Sequence, residues 1–198
     1  MDAARIDANI RWTMFEDLQI ILYPDPRLLK VSKPVKEINE EIRALAAKMF
    51  ELMRAAKGVG LAAPQVGKNI RLFVMNPTGE PGDDRVIINP VLSEAEGEES
   101  GEEGCLSIPE IKVQIVRAKT VKLAAQDLAG KAIEETQSGY VARVWQHEFD
   151  HLNGTLLLDR MGAVAKMTHR KKIKSLEDDY SESHPAKRAS EKEKKKRK

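Results

Sequence analysis

Apolar residues recur at helical spacing in two long segments of the chain. In residues 38–57 they stand three or four positions apart, with Asn39 near the start and Gly58 after the end, as in an amphipathic helix with caps. Residues 140–153 show the same spacing between Gly139 and Gly154. A third, more polar helix is expected at about residues 161–176. The helical part of the chain is therefore predicted in these three segments.

Between the helices the pattern changes to short runs rich in β-branched residues. Proline, glycine and aspartate separate the runs, which is typical of antiparallel strands. The predicted strands are residues 70–75, 86–92, 113–118, 120–126 and 132–136. Residues 93–103 are acidic and glycine-rich without periodicity, which predicts a loop leading to Cys105. The expected fold class is α+β, with mostly antiparallel strands packed around the helix at 140–153.

The charge of the chain is unevenly distributed. The formal net charge is +2, but residues 184–198 contain eight Lys or Arg and two Glu, which gives that segment +6 and leaves −4 for the rest. No apolar run approaches the ~18 residues of a membrane span, and residues 1–11 have neither signal-peptide nor transit-peptide features. We therefore expect a cytoplasmic protein that does not contact membranes.

The segment at 147–151 has the H-E-x-x-H pattern and lies inside a predicted helix. Residues four apart on a helix lie one above the other, so His147 and His151 can bind one ion, and Glu148 can reach a water on that ion. Alternatively, both histidines are ordinary surface residues of a charged helix. Their apolar neighbours make this alternative costly, because two buried imidazoles would lack partners. We therefore expect a metal site.

The third metal ligand can be narrowed down by elimination. A metzincin would need a histidine where Leu157 stands, and a thermolysin-like site would need the downstream Glu177, which lies at the edge of a basic helix. The best remaining donor is Cys105, the single cysteine, because a thiolate binds iron or zinc strongly. The alternative is that Cys105 is a small buried residue without chemistry.

A glycine-rich segment at 58–65 is the remaining unusual feature. Gly58 could be only a helix C-cap and the rest a tight loop. In a functional interpretation, Gln65 donates a hydrogen bond to a substrate carbonyl, as oxyanion-stabilising groups do.

Taken together, these segments resemble the motifs of the peptide deformylase family. Residues 58–65, 103–107 and 146–152 are similar to the family's three motifs in order and separation, and the similarity extends from about residue 18 to residue 160. On this basis we expect an N-terminal extension at 1–17, a catalytic deformylase domain at 18–178 and a basic, disordered tail at 179–198.

The resemblance implies a metal-dependent amide hydrolase that removes the N-formyl group from the initiator methionine of nascent polypeptides and releases formate. It implies one divalent ion, usually Fe²⁺, with Zn²⁺, Ni²⁺ or Co²⁺ able to replace it, in a site on the central helix. The implied metal ligands are Cys105, His147 and His151. Metal-bound water would be the nucleophile and Glu148 the general base and acid, with the oxyanion held by Gln65 and the backbone N–H of Leu106. The implied methionine-binding residues are Val59, Gly60, Val144 and Trp145.

Two alternatives remain open at this point. One is a general metallopeptidase, and the other is a non-catalytic RNA-binding protein with a structural metal. A structural zinc site would need four protein ligands, and the remaining histidines, His169 and His184, lie in basic polar surroundings. As partners we expect formyl-Met nascent peptides and, through the basic tail, ribosomal RNA, with the protein itself a monomer.

Overall fold

Seven strands form two antiparallel sheets within residues 15–185, the part of the chain that the computed structural model describes. The larger sheet has the order β1-β2-β3-β6-β7, and β4 pairs with β5 in a separate hairpin. The strands are β1 (Gly60–Ala62), β2 (Leu72–Met75), β3 (Arg85–Glu96), β4 (Glu99–Cys105), β5 (Ile108–Arg117), β6 (Thr120–Gln126) and β7 (Ala132–Ser138).

The helices follow the predicted apolar spacing. They are α1 (Glu40–Ala55), α2 (Gly139–Leu152), the short α3 (Leu157–Arg160) and α4 (Ala163–Ser183), with 3-10 turns at Pro26–Leu29 and Ala63–Val66. Helix α1 begins where predicted, because the side chain of Asn39 accepts a hydrogen bond from the N–H of Ile42. Helix α2 contacts both sheets. The predicted α+β class, with antiparallel strands around a central helix, is confirmed.

The loop predicted at residues 93–103 is wrong. Strand β3 continues to Glu96, β4 starts at Glu99, and only a turn separates them, with Gly97 at a positive φ of 64°. The segment lacks apolar alternation because most of its side chains are exposed, and its buried carboxylate at Glu103 is neutralised by arginines. Pairing with β5 therefore determines its conformation, which the local sequence does not show.

The C-terminal helix is longer than predicted. Helix α4 continues to Ser183, so the disorder predicted from residue 179 is wrong for residues 179–183. Burial of Leu176 and an ion pair between Lys174 and Asp178, four residues apart, extend the helix beyond its apolar pattern. The rest of the predicted tail, residues 186–198, lies outside the described residues, as do residues 1–14 of the predicted N-terminal extension.

The apolar core holds helix α2 against the five-stranded sheet. Trp145 and Leu152 on α2 pack with Phe73 of β2, Ile87 of β3 and Leu123 of β6, all of them buried. A separate cluster lies under the β4–β5 hairpin and includes Leu157 of α3 and Leu176 of α4. Between residues 15 and 185, no helix combines the length and the apolar character needed to cross a membrane.

Candidate metal centre and active site

The three predicted metal ligands lie together where the hairpin meets helix α2. Cys105 ends β4, and His147 and His151 stand about one turn apart on α2. Their ligand atoms all lie within 4.8 Å of one another, and Cys105 Sγ is 3.3 Å from His151 Nε2. A thiolate with two imidazoles is a donor set that suits iron or zinc, and three protein ligands leave a position for water. These residues therefore fit one divalent transition-metal ion.

The surroundings of the two histidines shift their pKa values in opposite directions. Burial lowers the pKa of His151 well below its usual value, so its ring is neutral, as a metal ligand must be. Burial also opposes charge on His147, but hydrogen bonds to Cys105 and Glu103 outweigh it and raise the pKa of His147 well above normal. The negative groups that attract a proton here would equally attract a metal cation.

The carboxylate of Glu103 orients the first histidine. His147 Nδ1 donates to Glu103 Oε2 at 2.9 Å, which leaves Nε2 to face the metal position. The guanidinium of Arg117 donates to both oxygens of Glu103 at 2.9 Å. Burial raises the pKa of Glu103, but the hydrogen bonds from His147 and Arg117 lower it by more, so the group is ionised.

A chain of alternating charges runs from Glu103 to the surface. Arg117 bridges Glu103 and Asp150, and Arg160 reaches Asp150 from the half-exposed side. Sequence reasoning gave Glu103 and Arg117 no role. The available signal was that Glu103 lies two positions before Cys105 and so faces the same side of a strand, but a loop had been predicted there.

Glu148 is placed beside the metal ligands without joining them. Its side chain is buried, and its Oε2 has no hydrogen-bond partner among the described residues. Burial raises the pKa of Glu148 to about 7. Gly60 of β1 lies so close that a Cβ there would overlap the carboxylate. The tight packing fixes Glu148 at the edge of the site, where its unpaired oxygen can take or give a proton.

The amide of Gln65 is also held in a fixed orientation. Its Oε1 accepts a hydrogen bond from the N–H of Ala62 at 2.8 Å, so the amide nitrogen must point the other way. This Nε2 lies 3.2 Å from Ser107 Oγ and 3.6 Å from Cys105 Sγ. Gln65 therefore directs donors toward the metal ligands, as its predicted role requires.

This combination of fold and site is found in known proteins, and the family model described as polypeptide deformylase matches residues 17–167. The chain belongs to the peptide deformylase family. It is 43% identical over 169 residues to the chloroplastic peptide deformylase 1B of rice, covering 84% of this chain but only 63% of that protein. It is 46% identical over 156 residues to the peptide deformylase of Thermotoga maritima, covering 78% of this chain and 93% of that protein. The crystal structure of Arabidopsis thaliana peptide deformylase 1B with an inhibitor has 38% identity and a TM-score of 0.81, covering 85% of this chain and 94% of that one.

Membership of the peptide deformylase family confirms the predicted family and the predicted enzyme class, a metal-dependent hydrolase. The family removes the N-formyl group from nascent peptides. The general metallopeptidase and the non-catalytic RNA-binding protein are therefore disfavoured.

A cavity of about 620 Å³ opens from the candidate metal centre to the surface. Its lining includes five residues assigned from the sequence to the substrate or the oxyanion, namely Val59, Gly60, Gln65, Leu106 and Val144. Tyr140, one turn before Val144 on α2, adds a half-exposed aromatic ring. This cavity is large enough for an extended peptide end and apolar enough for a methionine side chain.

The predicted substrate role of Trp145 is wrong. Trp145 is fully buried in the core against the five-stranded sheet and does not line the cavity. Successive helical residues point about 100° apart, so when Val144 faces the cavity Trp145 faces the sheet. Both lay on apolar positions in the sequence, and only the position of the sheet separates them.

Proposed function

We propose that this chain hydrolyses the formamide bond of N-formylmethionine at the start of nascent polypeptides and releases formate. The observation that carries the proposal is the joint geometry of the site. A thiol and two imidazoles converge within 4.8 Å beside a buried carboxylate with an unpartnered oxygen. Cys105, His147 and Glu148 line a cavity that opens to the surface.

Cys105, His147 and His151 would hold one divalent ion, which we propose is Fe²⁺, with Zn²⁺, Ni²⁺ or Co²⁺ as replacements. When bound, such an ion supplies Lewis acidity, which lowers the pKa of water from 15.7 toward ~7. Glu103 would keep His147 in the tautomer with Nε2 available, because Nδ1 donates to it at 2.9 Å.

Glu148 would act as the proton carrier. Its unpartnered Oε2 would accept a proton from the attacking water and return it to the leaving amine. General acid–base catalysis of this kind typically accelerates a reaction ~10²–10⁴-fold. Gln65 Nε2 and the backbone N–H of Leu106 would donate to the formyl oxygen, which becomes negative during the reaction. Removal of one such donor typically lowers kcat about 10²–10³-fold.

The walls of the cavity would select the substrate. Val59, Gly60 and Val144 border the space beside the ligands, and their apolar character suits a methionine side chain. A formyl group carries only hydrogen beyond its carbonyl carbon, so tight packing of Gly60 and Glu148 would exclude larger acyl groups.

Formate release tests the proposal. Protein purified without air should release formate from formyl-Met-Ala-Ser and should leave acetyl-Met-Ala-Ser and casein intact. Cys105→Ala should lose metal and activity together, because the two imidazoles that remain should hold the ion only weakly. Glu148→Ala should keep its metal and lose about 10²-fold or more in turnover, because the water lacks a proton acceptor. A fully metallated and active Cys105→Ala protein would remove Cys105 from the site, and equal hydrolysis of all three substrates would remove the deformylase function.

For the basic C-terminal segment we propose ribosomal RNA as the partner. Residues 184–198 carry +6, and the exposed Arg170 and Lys171 on α4 add to the same charge. Phosphate binding of this kind weakens as salt rises. The alternative is a segment that only improves solubility. A cytoplasmic location and a monomeric state stay predictions.

Removal of residues 186–198 tests this partner and leaves α4 intact, because that helix ends at Ser183. The shortened protein should turn over short formyl peptides normally but should cosediment less with ribosomes at low salt. A full-length control with the tail's Lys and Arg replaced by Gln should behave like the shortened protein. Equal ribosome binding by all three proteins would contradict the proposal.

A further inference from the structure

One face of strand β4 carries an alternating set of residues directed at helix α2. Glu99, Gly101, Glu103 and Cys105 are two positions apart, and side chains two apart lie on the same side of a strand. Two of them have clear tasks, since Cys105 offers its thiol to the metal and Glu103 holds His147. The glycine between the two glutamates has φ outside the left-handed region, so its backbone does not require glycine.

The guanidinium of Arg143 occupies the space left by that glycine. A Cβ built on Gly101 would lie 2.8 Å from Arg143 Cζ and 2.9 Å from its Nε and Nη2. Arg143 is a residue of α2 and only 6% exposed. The absence of a side chain at Gly101 therefore lets an arginine of the helix lie flat on the strand.

Arg143 is held there by three hydrogen bonds to the hairpin. Its Nη1 donates to Glu103 Oε1 at 2.8 Å and to the carbonyl oxygen of Ile115 at 2.8 Å, and its Nη2 donates to the carbonyl oxygen of Glu99 at 2.6 Å. One planar group thus joins β4, β5 and α2. A lysine could not reproduce this, because an ammonium is a point donor without the forked geometry.

We infer that Arg143 and Gly101 form a clamp that fixes Glu103 and thereby positions His147 for metal binding. Arg143 holds Oε1 of the carboxylate, and the other oxygen, Oε2, accepts from His147 Nδ1. Without Arg143, the Glu103 carboxylate keeps its two hydrogen bonds from Arg117 but loses the donor that ties it to helix α2, the helix that carries His147. Arg143 is a positioning residue, and it acts on the metal through Glu103 and His147.

The inference rests on the proposed metal centre, and its test measures metal retention instead of turnover. Full-length variants are loaded with Ni²⁺, and the dissociation constant is read by competition with a chelator, alongside the melting temperature of the metal-free protein. Arg143→Met keeps the apolar stem and removes the donors. Partners of metal-bound histidines typically contribute 10–100-fold to affinity, so we expect Ni²⁺ to bind about 10–100-fold more weakly. Arg143→Lys should recover only part of this loss.

Gln146→Leu is the matched control on the same helix. Its side chain exchanges hydrogen bonds with the backbone of Ala118 and does not contact Glu103. It should lower the melting temperature about as much as Arg143→Met, with Ni²⁺ affinity within about threefold of wild type, because the histidine's partner is intact. An equal loss of Ni²⁺ affinity in both variants would show that Arg143 has only a structural role and does not position His147.

Gly101→Ala provides an independent route to the same defect. The new Cβ can be accommodated only if the guanidinium leaves its three acceptors, so Ni²⁺ should again bind about 10–100-fold more weakly. In the Arg143→Met background the flexible thioether can move aside, so Gly101→Ala should add less than about twofold. Full additivity, or wild-type Ni²⁺ affinity in Arg143→Met, would overturn the clamp. Failure of wild type itself to bind Ni²⁺ would overturn the metal centre, and the clamp with it.

Discussion

The two faces of helix α2 are stabilised in opposite ways. The face that carries Trp145 packs on the five-stranded sheet through apolar side chains alone. The face that carries Arg143 and His147 meets the β4–β5 hairpin through buried charges, with Glu103 accepting from both. Apolar packing tolerates small shifts, whereas a buried charge needs each partner in place. The proposed metal ligands lie on the side where position is most strictly determined.

The two faces of α2 also make different contributions, one to the stability of the fold and the other to the metal site. The sheet side supplies free energy of folding, because large apolar side chains are removed from water there. The hairpin side contributes less net stability, since desolvation offsets the attraction between charges, but it fixes the orientation of a metal ligand. Substitutions on the two sides should therefore separate stability from metal retention.

Glu103→Ala should produce the largest effect, because it affects both properties. It leaves Arg117 and Arg143 buried without their shared carboxylate and His147 Nδ1 without an acceptor. We expect a loss of about 3–5 kcal/mol in the free energy of unfolding, since removing one partner of a buried ion pair leaves an uncompensated charge buried. Ni²⁺ affinity should fall about 10–100-fold. Urea unfolding of the metal-free protein and chelator competition measure the two effects.

If Glu103→Ala lowered stability but left Ni²⁺ affinity unchanged, the proposed difference between the two faces of α2 would be contradicted. The charged face would then be structural only, like the apolar face. Glu103→Gln is the control for shape, because it keeps the size of the side chain and removes the charge.

Trp145→Ala should produce the second largest effect and should act on stability alone. Trp145 is fully buried, and removing a large core aromatic costs about 3–5 kcal/mol in the free energy of unfolding. It does not line the cavity and is not one of the proposed ligands, so the folded fraction should bind Ni²⁺ as wild type does. The measurement is Ni²⁺ affinity at a temperature where the variant is still folded. A weakened Ni²⁺ site would show that packing on the sheet also positions the histidines.

The sequence predicts the apolar face of α2 better than the charged one. The spacing around Trp145 and Leu152 indicated a buried helix, and the H-E-x-x-H pattern placed both histidines on it. Helical period and residue type are local properties, so one segment is enough to read them. Which neighbour each face meets is not local, so the spacing could not show that Trp145, which the family resemblance had assigned to the substrate, packs on the sheet instead.

Strand β4 of the hairpin was missed for the same physical reason. Its residues 99–104 have no apolar alternation, and their strand conformation depends on pairing with β5. Glu103 is buried only because arginines distant in sequence, Arg117 and Arg143, neutralise it. Elimination among the possible donors and the family resemblance both pointed to Cys105 as a ligand, but the contacts of Glu103 with Arg117 and Arg143 could be seen only in the structure.

An exposed charge on the same hairpin should have the smallest effect, and it tests whether burial or charge sets the difference between the faces. Lys172 of α4 pairs with Glu110 of β5 at 2.8 Å, but the glutamate side chain is 73% exposed and the lysine 31%. Water and salt screen such a pair, so Lys172→Met should change the free energy of unfolding by less than about 1 kcal/mol, and less still at high salt. Ni²⁺ affinity should be unchanged, because Lys172 contacts no residue that holds a metal ligand.

A double-mutant cycle with Glu110→Gln isolates the contribution of the Lys172–Glu110 pair to the free energy of unfolding, measured with urea at low and high salt. A coupling as large as the loss in Glu103→Ala would show that charge on this hairpin matters regardless of burial, and the contrast between the two faces of α2 would have to be explained otherwise.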